Sequence, residues 1–149
     1  MSATSYLKEA TQLVVSRLTT KWATGAFAGI KIIWPGVEGN PPADGSKYIE
    51  LTVLWGAAAR LTQANENANE VAGILHVNAF AAPNTGLQDA LDLIDAVRQM
   101  VTRFTIDGTH VSVWFGPMSG PAIVGPTENW LQMAASCPLQ AIESLQAVA

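Results

Sequence analysis

At 149 residues the chain is long enough to bury roughly 68–70% of its unfolded surface, so a real hydrophobic core needs no disulfide staple. Eight basic residues stand against twelve acidic ones with no Lys/Arg cluster, which removes the electrostatic footprint needed to grip a phosphate backbone and argues against nucleic-acid binding. Only 13% of residues are charged while 49% are apolar, against about 25% charged in ordinary domains, so part of the surface is expected to be covered by other molecules.

The N-terminus, Met-Ser-Ala-Thr-Ser-Tyr-Leu-Lys-Glu, has neither a basic start nor an apolar h-region, so no signal peptide is expected. No run of 18 apolar residues occurs, and the chain reads as soluble, with no membrane partner. From roughly Thr4 to Ala23, the residues Tyr6, Ala10, Leu13, Val14, Leu18 and Trp22 make one apolar stripe, the mark of a surface helix docked on a sheet. Gly25 and Gly29 end that pattern. Ile30 to Trp34 is then a short apolar strand stopped by Pro35-Gly36, and Glu38 to Ser46 reads as a loop.

Tyr48 to Trp55 alternates most clearly, with Ile49, Leu51, Val53 and Trp55 on the core side and Tyr48, Glu50 and Thr52 on the other. Gly56 to Asn69 is long for a plain hairpin connection and is taken as an excursion of functional interest. Val71 to Ala81 alternates again. Thr85-Gly-Leu-Gln88 then fits a capping box, opening a helix from Leu87 to about Phe104 along which Leu87, Leu91, Ile94, Val97, Val101 and Phe104 recur. Asp107-Gly108 makes a turn, and Val111 to Phe115 is a fourth strand. Gly116 to Pro126, with its prolines and glycines, reads as a connection. In the fifth strand Leu131, Met133, Ala135 and Cys137 share one side, opposite Trp130, Gln132, Ala134 and Ser136.

These elements give a single α+β domain over residues 1–149, in the order α-β-β-β-α-β-β: a mostly antiparallel or mixed sheet of about five strands with two amphipathic helices packed on one face. Its opposite face would show Glu50, Thr52, His76, Asn78, Ser112, Gln132 and Ser136 among the aromatics Tyr48, Phe80, Trp114 and Trp130. A polar surface dotted with large aromatics is what a protein contact looks like.

Chemistry is harder to find. There is no phosphate-cradling glycine loop, and two histidines with one cysteine cannot assemble the common zinc sites, so no metal or other cofactor is expected. Asp89, Asp92 and Asp95 do not converge, since six helical residues turn through an effective angle of about 240°. Cys137, in an apolar strand, reads as a small buried hydrophobe rather than a nucleophile. His76 and Glu50 could form an acid–base pair on the polar sheet face, which is the basis of an alternative reading as a small hydrolase or ligand-binding module. No nucleophile or oxyanion donor accompanies them, and no catalytic residue is assigned.

Several stretches taken together resemble the tail terminator, or tail completion, proteins of long-tailed phages, prophages and gene transfer agents. They are Tyr48-Ile-Glu-Leu-Thr-Val-Leu-Trp-Gly56; Gly73-Ile-Leu-His-Val-Asn-Ala-Phe-Ala-Ala-Pro-Asn-Thr-Gly86 with the helix Ala90-Leu-Asp-Leu-Ile-Asp-Ala-Val-Arg98; Gly116 to Pro126; and Trp130-Leu-Gln-Met-Ala-Ala-Ser-Cys-Pro138. Ile33-Trp-Pro-Gly36 also fits, and the likeness runs from about Ile30 to Pro138. The resemblance implies a structural virion protein, not an enzyme. It would be assembled in the bacterial cytoplasm and form a homo-oligomeric ring, typically a hexamer, at the head-proximal end of the tail. Its partners would be further copies of itself, the tail tube protein and the head–tail connector. A connector or a tail-tube subunit is the alternative within that class. Arg60, Glu66, Tyr48, Trp114 and Trp130 are the expected interface residues, the first two because they lie at the 56–69 excursion.

Overall fold

A computed structural model describes residues 3–25, 27–34, 47–60, 69–82, 86–101, 104–126 and 130–143. Helix α1 (Ala3–Thr24) is followed by strands β1 (Lys31–Ile33), β2 (Tyr48–Arg60) and β3 (Asn69–Ala81). Helix α2 (Gly86–Val101) then leads to β4 (Thr105–Asp107), β5 (Val111–Phe115), β6 (Ser119–Pro126) and β7 (Leu131–Glu143). The strands form one mixed sheet in the order β1-β2-β3-β7-β5-β4, with β6 also paired to β7. Only β1 and β2 run parallel; every other pair is antiparallel.

The α+β class and the one-sided helix layer stand as expected, but the sheet has seven strands rather than about five. Two segments account for the difference. Residues 116–126, read as a connection, contain β6, whose prolines are tolerated because the strand lies at a sheet edge and needs a partner only on its β7 side. Gly120, with φ of +97°, supplies a left-handed backbone that a side chain would resist. The second segment is the end of α2. The helix stops at Val101, and the Phe104 carbonyl accepts from the Phe115 amide at 2.8 Å, so the chain that continues the helical spacing in sequence is drawn beside β5 as β4. The two ends of the 56–69 excursion are ladder as well: β2 runs to Arg60 and β3 begins at Asn69, paired to each other beyond a bulge between Trp55 and Ala58, while residues 61–68 lie outside the described residues. The Thr85 cap lies outside the described residues.

One face of the sheet holds the core. Val71, Leu75, Val77, Ala79 and Ala81 of β3 and Met133, Ala135, Cys137, Leu139 and Ala141 of β7 alternate into it, as the period-two pattern requires. Helix α1 lays Ala10, Val14, Leu18 and Trp22 on this face, one every four residues. Helix α2 contributes Ala90, Leu93, Ile94, Val97 and Val101. Its seam is rotated from the stripe read in sequence, leaving Leu87 exposed at the helix start.

Three polar ties fix α1 to the sheet and to the segments that lead into β1 and β5. Trp55 Nε1 donates to Thr11 Oγ1 at 2.9 Å, and the Trp22 indole donates to the Ile30 carbonyl at 2.8 Å. The His110 amide donates to the Glu9 carboxylate at 2.8 Å. Beneath the first of these lies Gly73, where an added Cβ would fall 2.5 Å from the Trp55 ring. A glycine in mid-strand is therefore where the indole rests.

Candidate assembly surface

The side of the sheet away from the helices is organised in rows by register. Tyr48, Phe80 and Gln132 form the first row; Glu50, Asn78 and Ala134 the second; Thr52, His76 and Ser136 the third; Leu54, Ile74 and Pro138 the fourth. A fifth row holds Ala72, Gln140 and Trp114. Chemistry changes along these rows, from aromatic through polar to apolar.

At the aromatic end Tyr48 and Phe80 stack with centroids 4.6 Å apart and planes 6° from parallel, and Trp130 meets Tyr48 edge-on at 5.0 Å. Such offset and edge-to-face pairs add about 0.5–1.5 kcal/mol beyond burial. They also use up the rings: Tyr48 is only 5% exposed and Trp130 is half-buried. Desolvation raises the pKa of the Tyr48 hydroxyl above its usual value, and the neighbouring Glu50 carboxylate pushes the same way. Tyr48 is thus a structural residue in the isolated chain, and its partner-facing area is small.

In the polar middle, Gln132 Nε2 donates to Asn78 Oδ1 at 3.1 Å, linking β7 to β3. Glu50 and His76 share the face but sit on neighbouring rows, and the direct cross-strand neighbours of His76 are Thr52 and Ser136. Among the described residues no hydrogen bond or ion pair joins His76 to Glu50, and no group of three His, Cys, Asp or Glu side chains is placed to hold a metal. Asp92 accepts from Gln88 and Asp95 from Gln99 along α2, while Asp89 pairs with Lys47 at 3.4 Å, so these carboxylates serve helix and packing contacts. Cys137 is fully buried on the core face, and burial pushes its thiol up to about 11. A thiol so placed is neutral and inert at physiological pH.

The apolar end is different. Leu54 is 54% exposed, Ile74 42% and Trp114 49%, with exposed Pro138 between them. Leu54, Ile74 and Pro138 are register partners across three adjacent strands, and Trp114 lies one row on, so they form a contiguous uncharged band. Bands of this kind on otherwise folded surfaces mark contact sites. Of the residues expected at an interface, Trp114 lies in it, whereas Tyr48 and Trp130 belong to the aromatic end. The side chain of Arg60 and the whole of Glu66 lie outside the described residues. Leu54 and Ile74 escaped the sequence reading because they fall in the polar phase of their strands; an apolar residue out of phase on two paired strands was the available signal.

On the helix side an open cleft of about 270 Å³ lies between α1 and α2, lined by Arg17, Lys21, Trp22, Phe27, Gln99 and Met100. The Arg17 guanidinium stands 3.7 Å from the Phe104 ring centroid, a cation–π contact that holds the end of α1 to the start of β4.

A sequence model of a family described as phage tail terminator protein matches residues 9–138. No curated protein matches the chain. One solved structure, which carries no functional name, shares the fold with a TM-score of 0.72 over 95% of this chain and 96% of its own, at 14% identity.

Proposed function

Because the chain belongs to the phage tail terminator protein family, and is thereby a structural component of the phage tail, we propose that it forms a ring that caps the tail tube. The ring ends tube polymerisation and presents the surface to which the head joins. It sits at the head-proximal end of the tail, is built in the host cytoplasm, and takes the tube protein and the connector as its partners. Six is the subunit number that the family resemblance implies for such a ring. No catalysis is involved: a cap works by occupying the growing end with one face while offering no second copy of the tube's addition surface.

The observation that carries this reading is the exposed band Leu54, Ile74, Pro138 and Trp114, in a chain with only 13% charged residues. Closed rings need heterologous contacts that leave no copy unsatisfied, and an uncharged band supports such contacts without strong dependence on salt. Light scattering and negative-stain imaging, with and without purified tube protein, test it. Rings that bind tube ends are expected. Ile74→Lys and Trp114→Lys should abolish ring or tube binding while leaving unfolding within about 0.5 kcal/mol of the parent, since both side chains are on the surface. Persistent monomers in the presence of tubes would refute the proposal.

A further inference from the structure

Among the described residues the sheet is open, and its edges are unequal. Where β1 covers β2, it does so only from Tyr48 to Glu50; among the described residues the rest of β2, Leu51 to Arg60, has no strand on that side. At the opposite border, among the described residues, β6 pairs only with β7. The two remaining borders are blunted in the usual ways: β1 is three residues long and begins with exposed Lys31, and β4 is three residues long and ends in exposed Asp107. By contrast Leu51 to Ala59 and Ser119 to Pro126 contain no charged residue at all. Large exposed apolar side chains stand at both, Leu54 on β2 and Ile123 (59%) and Val124 (58%) on β6.

We propose that these two edges join one copy of the chain to the next, β2 of one copy adding to β6 of its neighbour, so that the sheets continue around the ring. This rests on the ring reading above and specifies its interface. Strand direction supports the pairing. β2, β3, β7 and β6 alternate in direction, so β6 runs opposite to β2, and a following copy of β2 meets it antiparallel with no break in the alternation. The contact joins two different edges, as a head-to-tail ring requires.

Offset supports it too. β6 lies across β7 from residues 131–136, whereas Leu51 and the residues after it lie across β3 from Val77 towards Asn69, level with β7 from Ala135 onward. Each joint therefore shifts the strands along their own direction, and a sheet that closes on itself needs such a stagger. Pairing on β6 is confined to its middle, because Pro121 and Pro126 lack donors and the Gly120 carbonyl already accepts from Arg98 at 2.8 Å. Ala122, Ile123, Val124 and Gly125 are the residues left to pair, a short run with little capacity to template open-ended aggregation.

The test uses the full chain in a Cys137→Ala background. Leu54→Cys with Ala122→Cys, which lie on the same side of the sheet, treated with a short bifunctional maleimide that tolerates a shift of one residue pair, should give a ladder of covalent oligomers ending at the ring size. Each single-cysteine variant should stay monomeric on the gel, because like edges do not meet in a head-to-tail ring. Val124→Lys should lower the ring fraction at least tenfold with the monomer's unfolding midpoint unchanged. Rings that form in the double-cysteine protein without a ladder, or that survive Val124→Lys, would overturn the edge pairing and leave the ring itself standing. A parent chain that stays monomeric beside tail tubes would overturn both.

Discussion

Replacing Gly73 by alanine is the sharpest probe of how the helix layer is seated. In most strands this change is mildly favourable, since alanine narrows the unfolded ensemble by about 0.4–1 kcal/mol. Here the new methyl would lie 2.5 Å from Trp55 Cε3, 2.7 Å from the Leu54 carbonyl oxygen and 2.9 Å from Trp55 Cζ3. The carbonyl belongs to the sheet ladder and cannot retreat. The indole is held by its 2.9 Å hydrogen bond to Thr11 on α1, so moving it breaks the tie between helix and sheet. Overpacking costs about 1–3 kcal/mol and the lost hydrogen bond about 0.5–1.5 kcal/mol. Less the entropic gain, Gly73→Ala should destabilise by about 0.5–4 kcal/mol, read as a lower urea midpoint at unchanged slope. A double-mutant cycle separates the causes: in a Trp55→Val background, where no ring covers the glycine, the part of the penalty due to the indole and its hydrogen bond should vanish while the part due to the Leu54 carbonyl remains. A Gly73→Ala protein as stable as its parent, or one whose penalty is undiminished without the indole, would refute this packing argument.

Other consequences follow from the aromatic end and the buried thiol. Tyr48→Ala removes a buried ring and both of its aromatic partners, and should destabilise by about 3–5 kcal/mol in chemical denaturation; a loss below 1 kcal/mol would mean the cluster is not formed. Cys137 should resist maleimide at pH 8 in the native protein and react fully in urea, and rapid native labelling would contradict its burial. Its thiol is raised from 9.0 to about 11, so the unfolded chain sheds that proton first. Stability from this group is whole below pH 9 and declines as pH climbs towards 11; the raised Tyr48 hydroxyl adds a decline of the same sign above its ordinary value of about 10. Unfolding midpoints measured across this range should fall, and less steeply in Cys137→Ala with Tyr48→Phe.

The parts of the fold that could be read from the sequence are those where one face is dry and the other wet. Val71 to Ala81 and the Met133 to Cys137 phase show it, because burial on one side forces a period of two that no other structure satisfies. Segments held mainly by their neighbours leave no such trace. β6 has glycine and proline where strands usually have branched residues, and it exists because β7 offers a ladder. β4 is three residues long, and Phe104 just before it keeps the spacing of the helix that has already ended. The surface proposed for assembly was legible in outline, as an aromatic-bearing sheet face. Its residues were not, because self-packing decides which aromatics remain available: Tyr48 is taken by Phe80 and Trp130, while Leu54 and Ile74 stay bare.

Tail length in particles made without this chain tests the capping role most directly. Electron microscopy of lysates from a phage or prophage lacking it should show tubes that are overlong and variable, with capsids unattached, and supplying the intact chain should restore uniform joined tails. Uniform tails of normal length, attached to heads in its absence, would contradict the account.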